Sequence, residues 1–451
     1  VASYTVYFNL NNPEHEIAKI TPDEIQIMKN GGNEDGIILD GSRKMKPLKF
    51  LPDADLEEAD RLLVDLLVGN MTCPQGDRFL ILSWLSCFLL IDFAGTRPMT
   101  RFEGSAGSGK TTASKITSTL LYGEPQHKKA TDAANYTDGS QNPLIVLDNI
   151  EVKQMTEDLT TFMLTSITGI AKEKRKSGTD SETITERTKC LLNTTGIEPL
   201  CGELSEILSR SFVINFDLAN QASDCFLESE VISAIQQNRD LIISAIMKRT
   251  SHVLAMIRDG AQKQVMRLLH RTMPTHGKRR CNDYLSLMYL MMLAGSEEHE
   301  VTTGLEDLSP LFIEQIHSIN DTSQEMARES NPIATALASL FHAYQNAVEL
   351  DEKARYGEDD RANHVVGFIE RYQVRFENEN TMEPVSAGRL LAALRRVGRE
   401  FNLEFEYKKP AQLGRRISND LDVIRDAGFD IDRQRNAHTK NFEYRICHKS
   451  R

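Results

Sequence analysis

The sequence predicts an α/β protein. A parallel sheet flanked by helices spans residues 99–220, with a small β-rich and helical region before it, a helical lid after it and a compact terminal unit. Three observations predict this. Residues 104–111 read Gly-Ser-Ala-Gly-Ser-Gly-Lys-Thr, a complete G-x-x-x-x-G-K-[ST] turn between strand-like and helix-like stretches. Four apolar runs, Met99–Glu103, Leu144–Leu147, Lys189–Asn193 and Phe212–Phe216, alternate with helical spacing, as a parallel sheet with crossover helices requires. From Pro384 onward come two amphipathic helices and a basic hairpin.

Taken in order, residues 1–55 alternate apolar and polar positions, as in Tyr4–Phe8 and Ile37–Leu39, around turn signals such as Asn30-Gly-Gly-Asn33. They predict a β-rich module. Residues 56–98 predict a helical cap, with Leu56–Val68 amphipathic and Phe79–Ile91 buried. That strongly apolar, uncharged run has 13 residues, too short to span a bilayer, so no membrane partner is expected. Residues 221–350 predict the helical lid, with helices over 228–258 and 282–294. Residues 351–383 open on a charged stretch and predict a linker or exposed helix, and 384–451 a separate unit.

Composition bounds the class. At 451 residues the chain predicts two to four domains, and its 40% apolar and 26% charged content is that of a soluble globular protein. The net charge of −12 excludes a uniformly basic nucleic-acid coat. It is uneven: residues 384–451 carry 15 Lys and Arg against 9 Asp and Glu, a net +6 that leaves −18 for the remainder. A basic tail on an acidic body hints at local nucleic-acid contact. Seven scattered cysteines without a C-x-x-C pair indicate neither a zinc site nor a disulfide framework, and a reducing cytoplasmic setting is expected. The first residue is Val1 rather than Met, which fits a piece of a longer protein.

The chemistry sits in the glycine-rich turn and the strand ends. Gly104, Gly107 and Gly109 let backbone N–H groups curl around phosphates, and the following helix adds its positive dipole end. Lys110 reaches the β- and γ-phosphates, the Thr111 hydroxyl ligates Mg²⁺, and Thr112 completes the turn of a site for ATP. Pro143–Asp148 is an apolar strand ending in a carboxylate, the Walker B arrangement, so Asp148 is the second metal-holding group. Many such ATPases place a glutamate next, to activate the attacking water; here the residue is Asn149. Glu151, three residues beyond Asp148, and Glu103, at the end of the strand feeding the loop, are the two substitutes. Slow or partner-dependent hydrolysis is therefore expected. Asn193 ends another apolar strand, where it is expected to read the γ-phosphate or orient water. Arg210 precedes the last strand and is expected to reach a neighbouring subunit's nucleotide as an arginine finger.

In this order, the phosphate loop, Leu147-Asp-Asn149, Asn193-Thr-Thr-Gly196 and Leu208-Ser-Arg-Ser211 resemble the motifs of the AAA+ ATPases. Within them the chain is most similar to helicase- and primase-associated ATPases of phages and mobile genetic elements, related to superfamily-3 and minichromosome-maintenance-like motors. Met45-Lys-Pro-Leu48 matches a segment that precedes their core, and such proteins end in a winged helix. The resemblance spans about residues 45–451, specific in the core motifs and looser in lid and tail. It implies an ATP-driven DNA motor in the replication of a phage or mobile element. The motor would be a homo-oligomeric ring, a hexamer, on single-stranded or forked DNA. Arg280, or its neighbour Arg279, would be a nucleotide-sensing arginine of the lid.

Residues 169–187 carry a plausible hairpin turn at Ser177–Asp180. Ring helicases similar to this chain insert a channel hairpin there, which would put Lys172, Lys174, Arg175 and Lys176 on backbone phosphates. In the terminal unit the second helix offers Arg415 and Arg416, and the wing Arg433, Arg435 and Lys440. Two other readings remain open: a nucleotide-switched oligomeric scaffold or defence ATPase with slow hydrolysis, and a fragment of a primase–helicase fusion.

Overall fold

The computed structural model describes residues 4–126, 132–151, 154–175, 183–197, 205–221, 227–272, 281–294, 309–318, 331–356, 363–401, 407–436 and 442–448. The chain divides into two compact units, one of residues 1–199 with 206–320, the other of residues 200–205 with 321–451.

The first unit opens with an antiparallel meander, β1 (Val6–Asn9), β2 (Glu16–Ile20) and β3 (Ile25–Lys29). Its inner positions Ile17, Ala18 and Ile20 are fully buried. The expected strand at Ile37–Leu39 does not form. Asparagine side chains take the place of a ladder there: Asn30 exchanges hydrogen bonds with Leu39 N (2.8 Å) and Leu39 O (2.7 Å), and Asn33 with Ile37 N (3.0 Å) and Ile37 O (2.7 Å). Helix α1 (Leu56–Leu66) starts where the Asp55 carboxylate accepts from the N–H groups of Glu57 and Glu58, and it buries Ala59, Leu63 and Leu66. Helix α2 (Gln75–Ser86) is buried along its second half, with Trp84 donating to the Pro98 carbonyl at 2.8 Å.

The core sheet has four parallel strands in the order β5-β8-β4-β9. They are β4 (Met99–Glu103), β5 (Leu144–Leu147), β8 (Leu191–Gly196) and β9 (Ser211–Asn215). Every residue of β4, β5 and β8 is buried, as strands covered on both faces must be. An antiparallel hairpin of β6 (Ala171–Arg175) and β7 (Thr183–Arg187) stands apart from this sheet. Around the sheet lie α3 (Lys110–Tyr122), α4 (Asp132–Gln141), α5 (Glu157–Thr168) and the short α6 (Ser205–Leu208).

The 31-residue α7 (Glu228–Arg258) follows, then α8 (Ala261–Thr272), α9 (Asn282–Leu293) and α10 (residues 310–318). Apolar residues of α7, such as Ile235, Ile242 and Leu254, join one hydrophobic cluster with Ile20, Leu63 and Leu120. The helices expected as a lid therefore share a core with the N-terminal sheet and with α3. Arg239 of α7 closes the carboxyl end of α3. A helix leaves its last four carbonyls without internal partners. Here Thr119 O accepts from Gly123 N (2.7 Å), Leu120 O from Arg239 Nε (3.0 Å), Leu121 O from Arg239 Nη2 (2.6 Å) and Tyr122 O from Lys46 N (2.7 Å).

The second unit contains α11 (Pro332–Tyr356), α12 (His364–Tyr372), β10 (Phe376–Asn378) and β11 (Thr381–Ser386). These lead into α13 (Ala387–Glu400), α14 (Pro410–Asn419), α15 (Leu421–Asp426), β12 (Phe429–Arg435) and β13 (Phe442–His448). The strands form an antiparallel sheet in the order β10-β11-β13-β12. Residues 332–372 differ from the expected lid end and linker. Ile333, Leu337, Leu340, Phe341 and Tyr344 follow helical spacing and pack with Phe376, Leu394, Phe429 and Ile446 as this unit's own core. Tyr344 and Phe376 stack with ring centroids 4.1 Å apart. The charged stretch read as a linker includes the solvated end of α11, where Lys353 pairs with Glu349. Among the described residues, no helix is long and apolar enough to cross a membrane.

Candidate functional site

Strand β4 delivers the chain into the glycine-rich turn, and close approach dictates its glycines. A Cβ on Gly104 would lie 2.2 Å from Phe216 O, and one on Gly109 (φ 95°) 2.5 Å from Thr72 Oγ1. Helix α3 begins at Lys110, whose ammonium donates inward to Gly104 O (2.7 Å), Ser105 O (2.7 Å) and Ser108 Oγ (3.2 Å). A cation so placed faces the ring of backbone that cradles phosphate. Burial lowers the Lys110 pKa. The charge of Arg101 also lowers it, while Glu151 and Asp148 act in the opposite sense.

Thr111 and Asp148, the pair expected to hold a metal, lie side by side. The Thr111 hydroxyl donates to Asp148 Oδ1 at 3.2 Å. A hydroxyl and a carboxylate oxygen side by side are the donor set that suits Mg²⁺. Thr195 Oγ1 donates to the same carboxylate oxygen at 2.7 Å and accepts from Asn149 N at 2.8 Å. Sequence reasoning missed Thr195, although it shares a strand face with Asn193, two positions nearer the carboxyl end.

Asn193 itself is corrected. Strand β8 continues to Gly196, so Asn193 lies inside the sheet, three residues or about 10 Å from its edge. It is fully buried, accepting from Ser114 Oγ (2.7 Å) and donating to Thr100 Oγ1 (2.9 Å). These bonds tie α3 to the sheet, and it is Thr195, not Asn193, that lies beside Asp148.

Of the two candidate water activators, Glu103 is buried against Arg101 Nε at 3.1 Å. Glu151 is half-buried, with Oε1 accepting from Ile197 N at 2.8 Å. Asn149 takes a left-handed conformation (φ 56°) that turns the chain between Asp148 and Glu151. The Thr112 hydroxyl bonds Glu228 Oε2 at 2.5 Å, and Lys115 bonds the other oxygen at 2.6 Å, so the first residue of α7 is tied to the loop helix.

The structure does not bring Arg210 to its own phosphate loop. It immediately precedes β9, whose Ser211 is in register with Met99, whereas the loop leaves the opposite end of β4. Four residue steps of strand separate those ends, about 13 Å. Arg210 instead pairs with Glu206 at 2.8 Å. Lys172, Lys174 and Arg175 lie on β6, paired in register with Glu186, Ile184 and Thr183 of β7. Lys176, Arg279, Arg280 and Lys440 lie outside the described residues, as does the Ser177–Asp180 turn.

In the second unit, Pro410, Gly414 and Arg415 of α14, Arg433 and Phe442 of the β12–β13 hairpin, and Gly388 of α13 line a cleft of about 710 Å³. Arg415 and Arg433 are exposed, and the Arg433 guanidinium stacks 3.6 Å over the Phe442 ring. Arg435 is exposed on the same hairpin. Arg416, expected beside Arg415 as a phosphate contact, is half-buried and ion-paired. Its Nε donates to Asp420 Oδ2 at 2.6 Å, and the same buried oxygen accepts from Asn331 Nδ2 at 2.8 Å. Asn331 in turn accepts from Ile333 N and Ala334 N at the start of α11.

No protein-family model matches the chain, and no curated protein matches it. Among solved structures it is similar to SCCmec type IV Cch, described as an active helicase. That likeness has a TM-score of 0.51 at 13% identity, covering 98% of this chain and 78% of that one. The apo structure of the NrS-1 C-terminal region aligns over 99% of this chain and 96% of its own, with 13% identity and a TM-score of 0.39. Its A form aligns over 96% and 94%, with 12% identity and a TM-score of 0.37. The likeness to Cch shows a helicase-like fold.

Proposed function

We propose that this chain is an AAA+ ATPase that drives movement on DNA, a ring helicase or translocase serving replication of a phage or mobile element. The observation that carries the reading is Lys110, Thr111 and Asp148 gathered at the carboxyl edge of a parallel sheet. Lys110 would hold the terminal phosphates of ATP, and Thr111 and Asp148 would hold Mg²⁺. When bound, Mg²⁺ supplies charge neutralisation at the phosphate oxygens. Glu151 is the residue assigned to orient and deprotonate the attacking water, since Glu103 is committed to Arg101. Arg210, at the far end of the sheet, would act in the site of a neighbouring subunit, which requires a ring-like homo-oligomer. A hexamer and the lid role of Arg280 follow from the same resemblance.

The terminal unit is assigned as a winged helix, with α13 and α14 as its helix pair and β12–β13 as its wing. Arg415, Arg433 and Arg435 would meet backbone phosphates, and the β6–β7 hairpin would carry Lys172, Lys174 and Arg175 to the translocating strand. A nucleotide-switched scaffold with slow hydrolysis is the second reading, favoured by Asn149 standing where such ATPases carry a glutamate.

ATP turnover with and without single-stranded DNA at low salt decides between them. The motor reading expects severalfold stimulation by DNA and loss of turnover in Lys110→Ala. DNA that neither binds nor stimulates sinks it and leaves the switch.

A further inference from the structure

Arg101 precedes the phosphate loop by three residues and belongs to none of the motifs, yet its side chain is fully buried at the edge of the site. Its Nη1 donates to Ile150 O at 2.8 Å and to Thr195 O at 2.9 Å, while Nε faces Glu103 Oε1 at 3.1 Å. The two carbonyls belong to segments that also meet directly, with Ile150 N donating to Thr195 O at 2.8 Å. Thr195 holds the Asp148 carboxylate, and Ile150 lies between the turn residue Asn149 and Glu151. Gly196 leaves the guanidinium its space, because a Cβ there would lie 1.9 Å from Arg101 Nη2.

We propose that Arg101 is a positioning residue for ATP hydrolysis: paired with Glu103, it clamps the Asp148–Glu151 turn onto the end of β8, fixing the metal-holding and water-activating carboxylates together. This rests on the hydrolase reading above and deepens it. A planar, rigid fork holds two carbonyls and a carboxylate in fixed directions, a geometry that the rotatable ammonium of a lysine does not preset. A buried ion pair is weak evidence for stability in itself. Both carbonyls that this one organises flank site residues, which points to geometry as its function. Misplacing such groups by about 1 Å costs on the order of 10²-fold in rate.

The test uses the full chain and the variants Arg101→Met, Arg101→Lys, Gly196→Ala and Glu103→Gln. Turnover, KM for ATP, affinity for a fluorescent ATP analogue and melting of the Trp84 signal are measured for each. The expected result is a fall in kcat of about 10²-fold in Arg101→Met and Gly196→Ala, with nucleotide affinity changed less than about threefold. Partial recovery is expected in Arg101→Lys. Should the larger changes prevent folding, Glu103→Gln keeps the shape while removing the charge, and a fall in kcat at constant affinity is expected of it. Equal kcat in an active wild type and all folded variants overturns the inference alone. So does loss of turnover that merely tracks loss of folded protein. A wild type that binds ATP but never hydrolyses it overturns the hydrolase reading, and this inference with it.

Discussion

Replacing Arg239 by Met should destabilise the first unit without touching the glycine-rich turn. The guanidinium is 3% exposed and serves four carbonyls: Leu120 and Leu121 at the end of α3, with Lys46 at 3.0 Å and Pro47 at 3.2 Å in the segment that precedes the core. Burial lowers its pKa to about 10, so it stays charged at neutral pH and its burial carries a cost. Methionine fills the space and removes that cost, but strands the acceptors. Each buried acceptor left unmatched costs about 1–3 kcal/mol, and the two helix-end carbonyls alone give about 2–6 kcal/mol. Relief of the guanidinium's burial returns part of this, leaving about 3 kcal/mol. In a unit of this size each kcal/mol moves the melting midpoint by about 2–4 °C, so the drop should be about 6–12 °C. The assay is direct, because Trp84 is the only tryptophan and is fully buried in the same unit. Arg239→Lys should recover less than half, since one ammonium cannot span four acceptors. A shift below about 2 °C for Met would refute the accounting of the helix end.

The alkaline limb of nucleotide binding should trace Lys110. Its pKa lies below the ordinary 10.5, so the ammonium that phosphate requires is lost at lower pH than in an ordinary lysine, and Lys110→Arg should remove that limb. Between the lowered value and 10.5 the unfolded chain keeps the proton and the native chain does not, so this group's contribution to stability rises with pH across that window. Arg415→Ala should weaken DNA binding and reduce the slope of log K against log salt by about 1. Arg416→Ala should instead lower the melting midpoint of the second unit, because it breaks the pair with buried Asp420. Asn149→Gly should keep turnover while Asn149→Val, forced to a left-handed φ, loses stability by about 1–2 kcal/mol. Comparing turnover and melting of the two checks it.

The sheet was legible because its strands are short apolar runs bounded by polar turns, and two of the four have the expected ends. The other two slipped for a local reason. In β8 the polar Asn193 looked like a terminus, whereas lateral hydrogen bonds to Ser114 and Thr100 let the strand continue through it. The loop residues were legible because their chemistry is written in consecutive positions. Arg101 and Thr195 were not, since each acts through a neighbour that only the parallel register of β4 and β8 supplies. Arg415 and Arg416 are adjacent and identical in type, yet one is exposed and the other bound to Asp420. Helix phase separates them, and the acid four residues on was the available signal.

Asn149 bears most on how fast bound ATP would be cleaved. Its sequence position suggested a missing catalytic glutamate, and the backbone gives the substitution a different sense. A residue at φ 56° must tolerate the left-handed region, which asparagine does far better than most side chains. The turn it makes lets Ile150 N reach Thr195 O and Glu151 reach Ile197 N, so the carboxylate returns to the sheet edge two positions later than usual. On that geometry the absence of a glutamate after Asp148 argues for a relocated base rather than for none. Glu151→Gln should then cost on the order of 10²–10⁴-fold in turnover with nucleotide affinity unchanged. Full turnover in that variant would leave the nucleotide-switch reading as the better account of the site.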